Sequence, residues 1–218
     1  MESRTRKSRS HGKINKIFNK GELMNKVYRD EDCEDEVIDK KDKFNEEYYY
    51  KVLNKSRTIL LYDMISNCSA DVVVSKIKAM NILDPEKEII LEMNSPGGDI
   101  SCGTSIINAI EKSKAPIHTI ISGQVASMAA MISIIGKKRS IYYNSYWMNH
   151  PLSEGQMDYL QFIKDRTKFL IHLDKMTEDL LKKYTKLTKK DLVKISTGEL
   201  WLSADECLQK GIVDNIIK

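Results

Sequence analysis

Three short segments of this 218-residue sequence carry residue types that could together perform nucleophilic catalysis. The first is the run Asn-Ser-Pro-Gly-Gly at residues 94–98, the second is residues 123–128 with Ser127 near its end, and the third is residues 144–150. Each segment follows a hydrophobic run that is typical of a strand. A glycine turn, a serine and a histidine at three strand ends are the components of a hydrolase site that attacks a carbonyl carbon.

Ser127 is predicted to lie at a strand-to-helix junction, which suits a nucleophile. The N-terminus of a helix presents unpaired N–H groups, and its dipole favours developing negative charge. The oxyanion formed by attack needs donors, and the N–H groups of Met128 and Gly98 are the candidates. Glycine suits this role because a residue without Cβ lets the backbone approach the substrate closely.

His150 is the candidate base because of its position among the four histidines. His11 lies in the N-terminal tail, His118 within a predicted strand and His172 within a predicted helix, whereas His150 follows a strand near the other two segments. Each segment alone also has an ordinary structural explanation, as a turn, a helix N-cap or a structural histidine. The combination of the three is more specific than any one of them.

The composition limits the classes of protein to be considered. Hydrophobic residues make up 41% of the chain, and the formal net charge of +4 does not by itself indicate nucleic-acid binding. The four cysteines form no C-x-x-C pair, which favours reduced thiols over disulfides or a metal site. The longest apolar run, residues 125–135, falls short of the ~20 residues of a membrane span. We therefore expect no cofactor, no metal and no membrane or nucleic-acid partner.

Residues 1–47 are predicted to be a charged arm, mostly disordered, that precedes a folded domain at residues 48–218. Residues 1–27 hold eight Lys and Arg but two acids, whereas residues 30–47 hold ten acids and three lysines. Neither block can bury a core. The alternative for the basic part is the remnant of an organelle transit segment, since such segments are rich in Arg and Ser and poor in acids.

Within the domain, strand and helix patterns alternate, which predicts an α/β fold with a mostly parallel sheet. Ser69 is predicted to cap the first helix, and Ser203 with Glu206 to form a capping box that opens the last one, with Gly211 at its C′ position. The predicted strands are residues 58–62, 88–93, 117–122 and 212–217, with two short ones flanking Asn144; the predicted helices are residues 69–80, 100–112, 126–135 and 158–184, with short ones after Thr188 and Ser203.

The sequence resembles the ClpP family, the proteolytic ring subunit of ATP-dependent Clp proteases, from about Tyr49 to Ile217. The matching blocks occur in the family's order and are residues 84–88, 94–98, 126–128, 201–204 and 211–214. The resemblance implies a ClpP/crotonase-like α/β fold of repeated ββα units with a protruding handle helix. It also implies a serine peptidase inside a chamber of two stacked heptameric rings, a tetradecamer, to which a hexameric AAA+ unfoldase delivers unfolded polypeptides.

Carried over residue by residue, the resemblance implies a role for each candidate. Ser127 resembles the nucleophile, His150 the base, and Gly98 and Met128 the oxyanion-hole residues. Glu199 stands where the family has its triad Asp. An alignment anchored on Pro151 instead places Asn149 at the position of the base and would remove it.

Several departures from the family pattern concern function. The extra methylene of Glu199 shifts the carboxylate, and loss of the orienting acid can cost ~10⁴ in rate. The loop at residues 136–139 is shorter than usual, and Gly155-Gln156 occurs early in the handle strand. Glu92 and Lys112 stand where the family offers aromatic pockets to the unfoldase.

Two main hypotheses follow, with a third beside them. The chain is either a ClpR-type subunit that builds rings, alone or with paralogous ClpP-type subunits, and has weak or no peptidase activity, or an active serine endopeptidase that uses Ser127, His150 and Glu199. The crotonase branch, which handles acyl-CoA thioesters, is the third.

Abundant Lys, Asn and Ile indicate an AT-rich genome, and with the basic arm this predicts an organelle of bacterial origin, either a plastid or, as the alternative, a mitochondrion.

Overall fold

One sheet organises the folded domain. The computed structural model describes residues 46–153 and 159–218, so the predicted arm lies almost entirely outside the described residues. In these ranges the strands are β1 Thr58–Leu61, β2 Ile89–Ser95, β3 Ile117–Ala126, β4 Lys138–Tyr142, β5 Tyr146–Asn149, β6 Leu200–Ser203 and β7 Asn215–Ile217. The helices are α1 Glu46–Ser56, α2 Asn67–Leu83, α3 Ile100–Glu111, α4 Met128–Ser133, α5 Leu160–Tyr184, α6 Lys189–Thr197 and α7 Ala204–Gln209.

The sheet is mostly parallel, as predicted. Its main path runs β1-β2-β3-β4-β7, and each neighbouring pair on this path is parallel. On the side away from β2, β3 is shared between two strands: its first half pairs with β4, and its second half pairs in parallel with β5. β6 then pairs with β5 in the antiparallel sense. This fork in β3 brings the ends of β3 and β5 side by side, next to α4.

Alternation along β2 places its fully buried side chains on one face of the sheet. In β2, Ile89, Leu91 and Met93 are fully buried, whereas the residues between them are partly exposed. This period of two is that of a strand with one covered face. The buried side chains form one core cluster with Ile77 of α2 and Ile106 of α3.

The structure corrects the predicted start of the first helix. Ser66, not Ser69, is the N-cap of α2. Ser69 is the third helical residue, and its hydroxyl accepts a hydrogen bond from the Ser66 N–H at 2.9 Å. The two serines therefore form a capping box, in which the second serine sits one turn inside the helix. The helix also extends beyond the predicted Met80, to Leu83, before Pro85 prevents its continuation.

Three other predicted boundaries change for tertiary reasons. β3 continues past Ser122 to Ala126 because β5 pairs with its polar second half. The following helix is shorter than predicted and spans residues 128–133. The last strand begins at Asn215 rather than Ile212, since Ile212 instead donates a backbone hydrogen bond to the Cys207 carbonyl at 2.9 Å. β6 has no counterpart in the prediction.

The predictions for the last helix and the handle agree with the structure. Ser203 and Glu206 form the capping box of α7, and Gly211 follows with a φ of +64°. α5 is 25 residues long, and Phe162, Phe169 and Ile171 on it are more than half exposed, as expected of a protruding handle helix. The early Gly155-Gln156 pair lies outside the described residues. Among the helices of the described ranges, none is long and apolar enough to cross a membrane.

Candidate functional site

Ser127 occupies a strained turn between β3 and α4. Its φ of 54° and ψ of −124° lie outside the regions that residues with a Cβ normally occupy. The Ser127 N–H donates to the Met148 carbonyl of β5 at 3.0 Å, which holds the turn against the neighbouring strand. Although Ser127 stands at the N-cap position, its side chain makes no capping hydrogen bond. The ordinary explanation of this serine as a helix cap is therefore wrong. Backbone strain of this kind clusters at active sites.

The glycine turn lies directly against this serine. Gly97 has a φ of +98°, and a Cβ added there would lie 2.7 Å from both the Ala126 carbonyl oxygen and the Ser127 Cβ. The turn is held by Ile65, whose N–H donates to the Gly97 carbonyl at 2.8 Å and whose carbonyl accepts from Asp99 at 2.9 Å. Neither bond uses the Gly98 N–H. That donor is therefore not consumed by the contacts that hold the turn.

A cavity of about 580 Å³ brings four of the five predicted site residues together: Gly98, Ser127, Met128 and His150. As the first residue of α4, Met128 has an N–H with no acceptor inside the helix. Much of the remaining wall is apolar and comes from α3, α4, α5, α6 and the segment after His150, including Ile100, Met131, Leu152, Leu181, Leu192 and Ile195. The cavity thus combines a serine, a histidine and two backbone donors with apolar walls suited to aliphatic side chains.

The serine and the histidine share this cavity without being hydrogen-bonded. In the part of the chain that the structure describes, neither the Ser127 hydroxyl nor the His150 ring takes part in a hydrogen bond. The His150 backbone N–H donates to Asn149 Oδ1 at 2.8 Å. A hydrogen bond of about 2.6–3.2 Å between nucleophile and base is the mark of an assembled pair, although substrate-free sites are often looser.

His150 directly follows β5 and Glu199 directly precedes β6, but the carboxylate of Glu199 is bound elsewhere. Asn149 pairs with Leu200 across the antiparallel β5–β6 ladder, so the next position of that register sets His150 opposite Glu199. The Glu199 Oε2 atom nevertheless accepts a hydrogen bond from Trp201 Nε1 at 2.8 Å. Glu199 is exposed and does not line the cavity. The proposed orienting acid is therefore adjacent to the base without contacting it through a hydrogen bond among the described residues.

Asn149 also lines the site. The sequence pointed to it only through the alignment anchored on Pro151, which puts it at the position of the base. It is 3% exposed and lines the same cavity as Ser127. Its Nδ2 donates to the Met131 Sδ at 3.2 Å. A polar residue at the buried end of a strand is the sequence signal that could have identified it.

A second serine–histidine pair is hydrogen-bonded but has no access to substrate. His118 Nε2 and Ser140 Oγ are 2.7 Å apart, and the serine donates in turn to Asn215 at 2.8 Å. Burial lowers the pKa of His118, with Lys138 acting in the same direction, so the ring is neutral at pH 7. Because Ser140 is fully buried, this pair ties β3, β4 and β7 together rather than performing chemistry.

The cysteines and acidic residues of the described ranges form no evident metal centre. No group of three or more His, Cys, Asp or Glu side chains in those ranges could hold a metal ion. Burial raises the pKa of the Cys207 thiol to about 12, which leaves it inert. Cys33 lies outside the described residues.

Glu92 stands where the family resemblance implies an aromatic pocket for the unfoldase, and its surroundings are polar. Tyr62 donates its O–H to Glu92 Oε1 at 2.6 Å, and Ser122 donates to the Tyr62 oxygen at 3.0 Å. The tyrosine hydroxyl is thus engaged in a polar network that spans β1, β2 and β3. Lys112 is exposed just after α3.

A comparison with protein families agrees with this architecture. The model of the Clp protease family matches residues 40–218, which include all the strands described above and every predicted site residue. Members of this family generally form ring oligomers that work with Clp ATPases. The match favours the peptidase branch of the fold over the acyl-CoA alternative. The chain belongs to the Clp protease family and is a Clp proteolytic subunit.

Proposed function

We propose that this chain is a ring-forming subunit of an ATP-dependent Clp protease complex, resembling the ClpR type, with weak or absent peptidase activity of its own. The observation that carries the proposal is the hydrogen bond from the Trp201 indole to Glu199 at 2.8 Å. A carboxylate held by this indole does not orient the His150 ring, and the ring makes no hydrogen bond to Ser127 among the described residues.

The expected loss follows from the role of the acid in a catalytic triad. The acid holds the imidazole in the tautomer and orientation that let it accept the serine proton, and it stabilises the imidazolium that forms. Losing that function costs ~10⁴ in kcat in a related arrangement. The donors of Gly98 and Met128 remain, so a residual activity from the oxyanion hole is compatible with the proposal.

The second candidate is an active serine endopeptidase that uses Ser127, His150 and Glu199. Its support is the strained backbone of Ser127 and the cavity that joins Ser127 to His150, Gly98 and Met128. The β5–β6 register also sets Glu199 beside His150. A change of Glu199 rotamer would release Trp201 and free the carboxylate for another partner, and substrate-free sites commonly tighten on binding.

Labelling of Ser127 by a fluorophosphonate probe separates the two candidates. We expect the parent chain to label slowly, and Ser127→Ala not at all. Trp201→Phe removes the indole donor but keeps an aromatic ring, and we expect it to label at least about tenfold faster, because Glu199 is then available to His150. Fast labelling of the parent that Trp201→Phe leaves unchanged would establish the active endopeptidase instead.

The proposed partners are further copies of this chain or paralogous ClpP-type subunits, an AAA+ Clp unfoldase, and unfolded polypeptides. The exposed apolar residues of α5 support a ring-building role. Phe162, Phe169 and Ile171 are not part of the core cluster of the described residues, so another subunit could cover them. Sedimentation velocity of the chain alone and mixed with an active Clp proteolytic subunit tests this. A monomer in both samples would contradict it. The location in a plastid or another organelle of bacterial origin stays a prediction.

A further inference from the structure

Asn149 is the last residue of β5 and lies beside the strained serine. The parallel register pairs Ala126 with Met148, so the next position sets Ser127 level with Asn149. The Ser127 N–H donates to the carbonyl of Met148, the residue that precedes Asn149. Asn149 is 3% exposed and lines the cavity. A buried carboxamide therefore borders the space in which a ligand of Ser127 would lie.

The orientation of this carboxamide is determined by its neighbours. The His150 backbone N–H can only donate, so the atom that it contacts at 2.8 Å must be the Asn149 oxygen. The nitrogen Nδ2 then lies on the side of Met131, whose sulfur is 3.2 Å away and which also lines the cavity. The donor end of the side chain thus contacts α4 at Met131, a residue of the cavity lining.

The donor capacity of Nδ2 is poorly used in this arrangement. A carboxamide nitrogen carries two N–H donors, and a thioether sulfur is a weak acceptor. The hydrogen bond to Met131 is the one that Nδ2 makes among the described residues. Because burying a polar group is costly unless it is well hydrogen-bonded, a stronger acceptor that entered the cavity would be favoured over the sulfur.

We propose that Asn149 is a substrate-binding residue that donates a hydrogen bond from Nδ2 to a carbonyl oxygen of a peptide bound beside Ser127. The peptide backbone supplies strong carbonyl acceptors at regular intervals, and the apolar walls around Met131 accommodate its side chains. The proposal rests on the proposed function insofar as the ligand is a polypeptide. It holds whether or not Ser127 performs catalysis.

The test measures peptide binding in the full chain with Ser127→Ala, so that no reaction with the serine contributes. The probe is a fluorescein-labelled Ala-Leu-Ala-Leu-Ala amide, followed by fluorescence anisotropy. We expect Asn149→Leu, which keeps the branched shape of the side chain but removes both its donor and its acceptor, to weaken binding about fivefold. Asn149→Asp keeps the acceptor for the His150 N–H and loses the donor, so we expect a similar or larger loss.

Met131→Leu distinguishes a substrate contact from a merely structural one. This change conserves volume and removes the sulfur acceptor of Asn149. If the amide serves the substrate, Met131→Leu weakens peptide binding less than Asn149→Leu does, because the amide donor is still present. If the amide only anchors β5 to α4, Met131→Leu and Asn149→Leu weaken binding to the same extent, and the proposal is overturned.

Two other outcomes would also overturn the proposal: no binding of the peptide to the Ser127→Ala parent, or unchanged binding by Asn149→Asp. A thermal unfolding control shows whether Asn149→Leu folds. If it does not, the second measurement is the NMR signal of the Asn149 side-chain NH₂ group in the ¹⁵N-labelled Ser127→Ala chain. We expect this signal to shift on addition of the peptide, and no shift at saturation would contradict the assignment. Fluorophosphonate labelling is independent of these results, so failure of one proposal is distinguishable from failure of the other.

Discussion

At the scale of single residues, the site is built from positions with an unusual backbone conformation. Gly98 has a φ of +147°, and a Cβ added there would lie 2.3 Å from the Ile65 carbonyl oxygen. The glycine is required twice, by its own conformation and by the closeness of the neighbouring backbone. Ser127, with a φ of 54°, accepts a comparable strain while keeping its side chain. The surrounding hydrogen bonds of the Ile65 and Met148 backbones hold both positions.

We therefore expect Gly98→Ala to lower the free energy of unfolding by more than about 2 kcal/mol, through backbone strain and the clash with Ile65. Urea unfolding followed by circular dichroism measures this. Gly198→Ala is the matched control, because its backbone is extended and the nearest atom to an added Cβ, the Lys194 carbonyl oxygen, lies 3.8 Å away. Equal stabilities of the two variants would show that the glycine turn is not rigidly held.

At the scale of elements, Arg57 joins the end of α2 to the beginning of β2. Its guanidinium is buried and donates to the carbonyls of Met80, Asp84, Lys87 and Glu88, at 2.9 to 3.1 Å. These carbonyls come from the last turn of the helix and the loop behind it, and the Met80 carbonyl also accepts from the Asp84 N–H at 3.0 Å. No local pattern in the sequence indicates a role for this arginine, because nothing within a few residues of it reveals four distant carbonyl groups.

Arg57→Lys is expected to destabilise the fold by about 2–4 kcal/mol, since one ammonium group cannot reach acceptors that a planar fork satisfies together. The charge is unchanged, so the loss would report geometry rather than electrostatics. Lys55→Gln, at an exposed position of α1, serves as the comparison and should change the stability by less than about 0.5 kcal/mol. An Arg57→Lys variant as stable as the comparison would contradict this account.

At the scale of the whole molecule, the carboxyl groups determine how stability depends on pH. At Glu206 the N–H of Ser203 holds the pKa below its usual value. At Asp191 burial raises the pKa, but hydrogen bonds from Lys210 and Thr188 outweigh it and the net shift is downward. The carboxyl groups of the described residues whose pKa is lowered are those of Asp99, Glu111, Asp191, Glu206 and Asp214.

A lowered pKa in the folded state means that the unfolded chain binds more protons in acid. The stabilisation is complete above the unfolded values of about 4 and is lost as the pH falls through the lower folded values. Burial lowers the pKa of His118, so the folded state begins to lose stability as the pH falls below the unfolded pKa of about 6.5. We expect the free energy of unfolding to decrease with falling pH in these two windows.

The pair of Asp191 with Lys210, at 2.8 Å, allows a direct check. Asp191→Asn should be less stable than the parent at pH 7, and the difference in free energy of unfolding should shrink as the pH falls below about 4, because the parent then loses the same charge. Denaturant unfolding at a series of pH values measures it. A difference that stays constant down to pH 2 would mean that the ion pair contributes nothing.

Local features of this protein were predictable from its sequence. The α/β alternation, the capping box at Ser203, the glycine at residue 211 and the clustering of Gly98, Ser127 and His150 all appear in the structure as predicted. Periodicity, caps and turn glycines depend on residues a few positions apart, so the sequence contains the information that they need.

Only the tertiary structure decided the details on which activity depends. The fork of β3 between β4 and β5 sets Ser127 beside Asn149, and the β5–β6 register sets Glu199 beside His150. Yet the carboxylate of Glu199 is bound by Trp201, and the amide of Asn149 contacts Met131. Which partner a side chain contacts depends on the distance and direction of the groups around it. For residues far apart in the sequence, these distances and directions are set only when the strands have paired and the helices have packed against them.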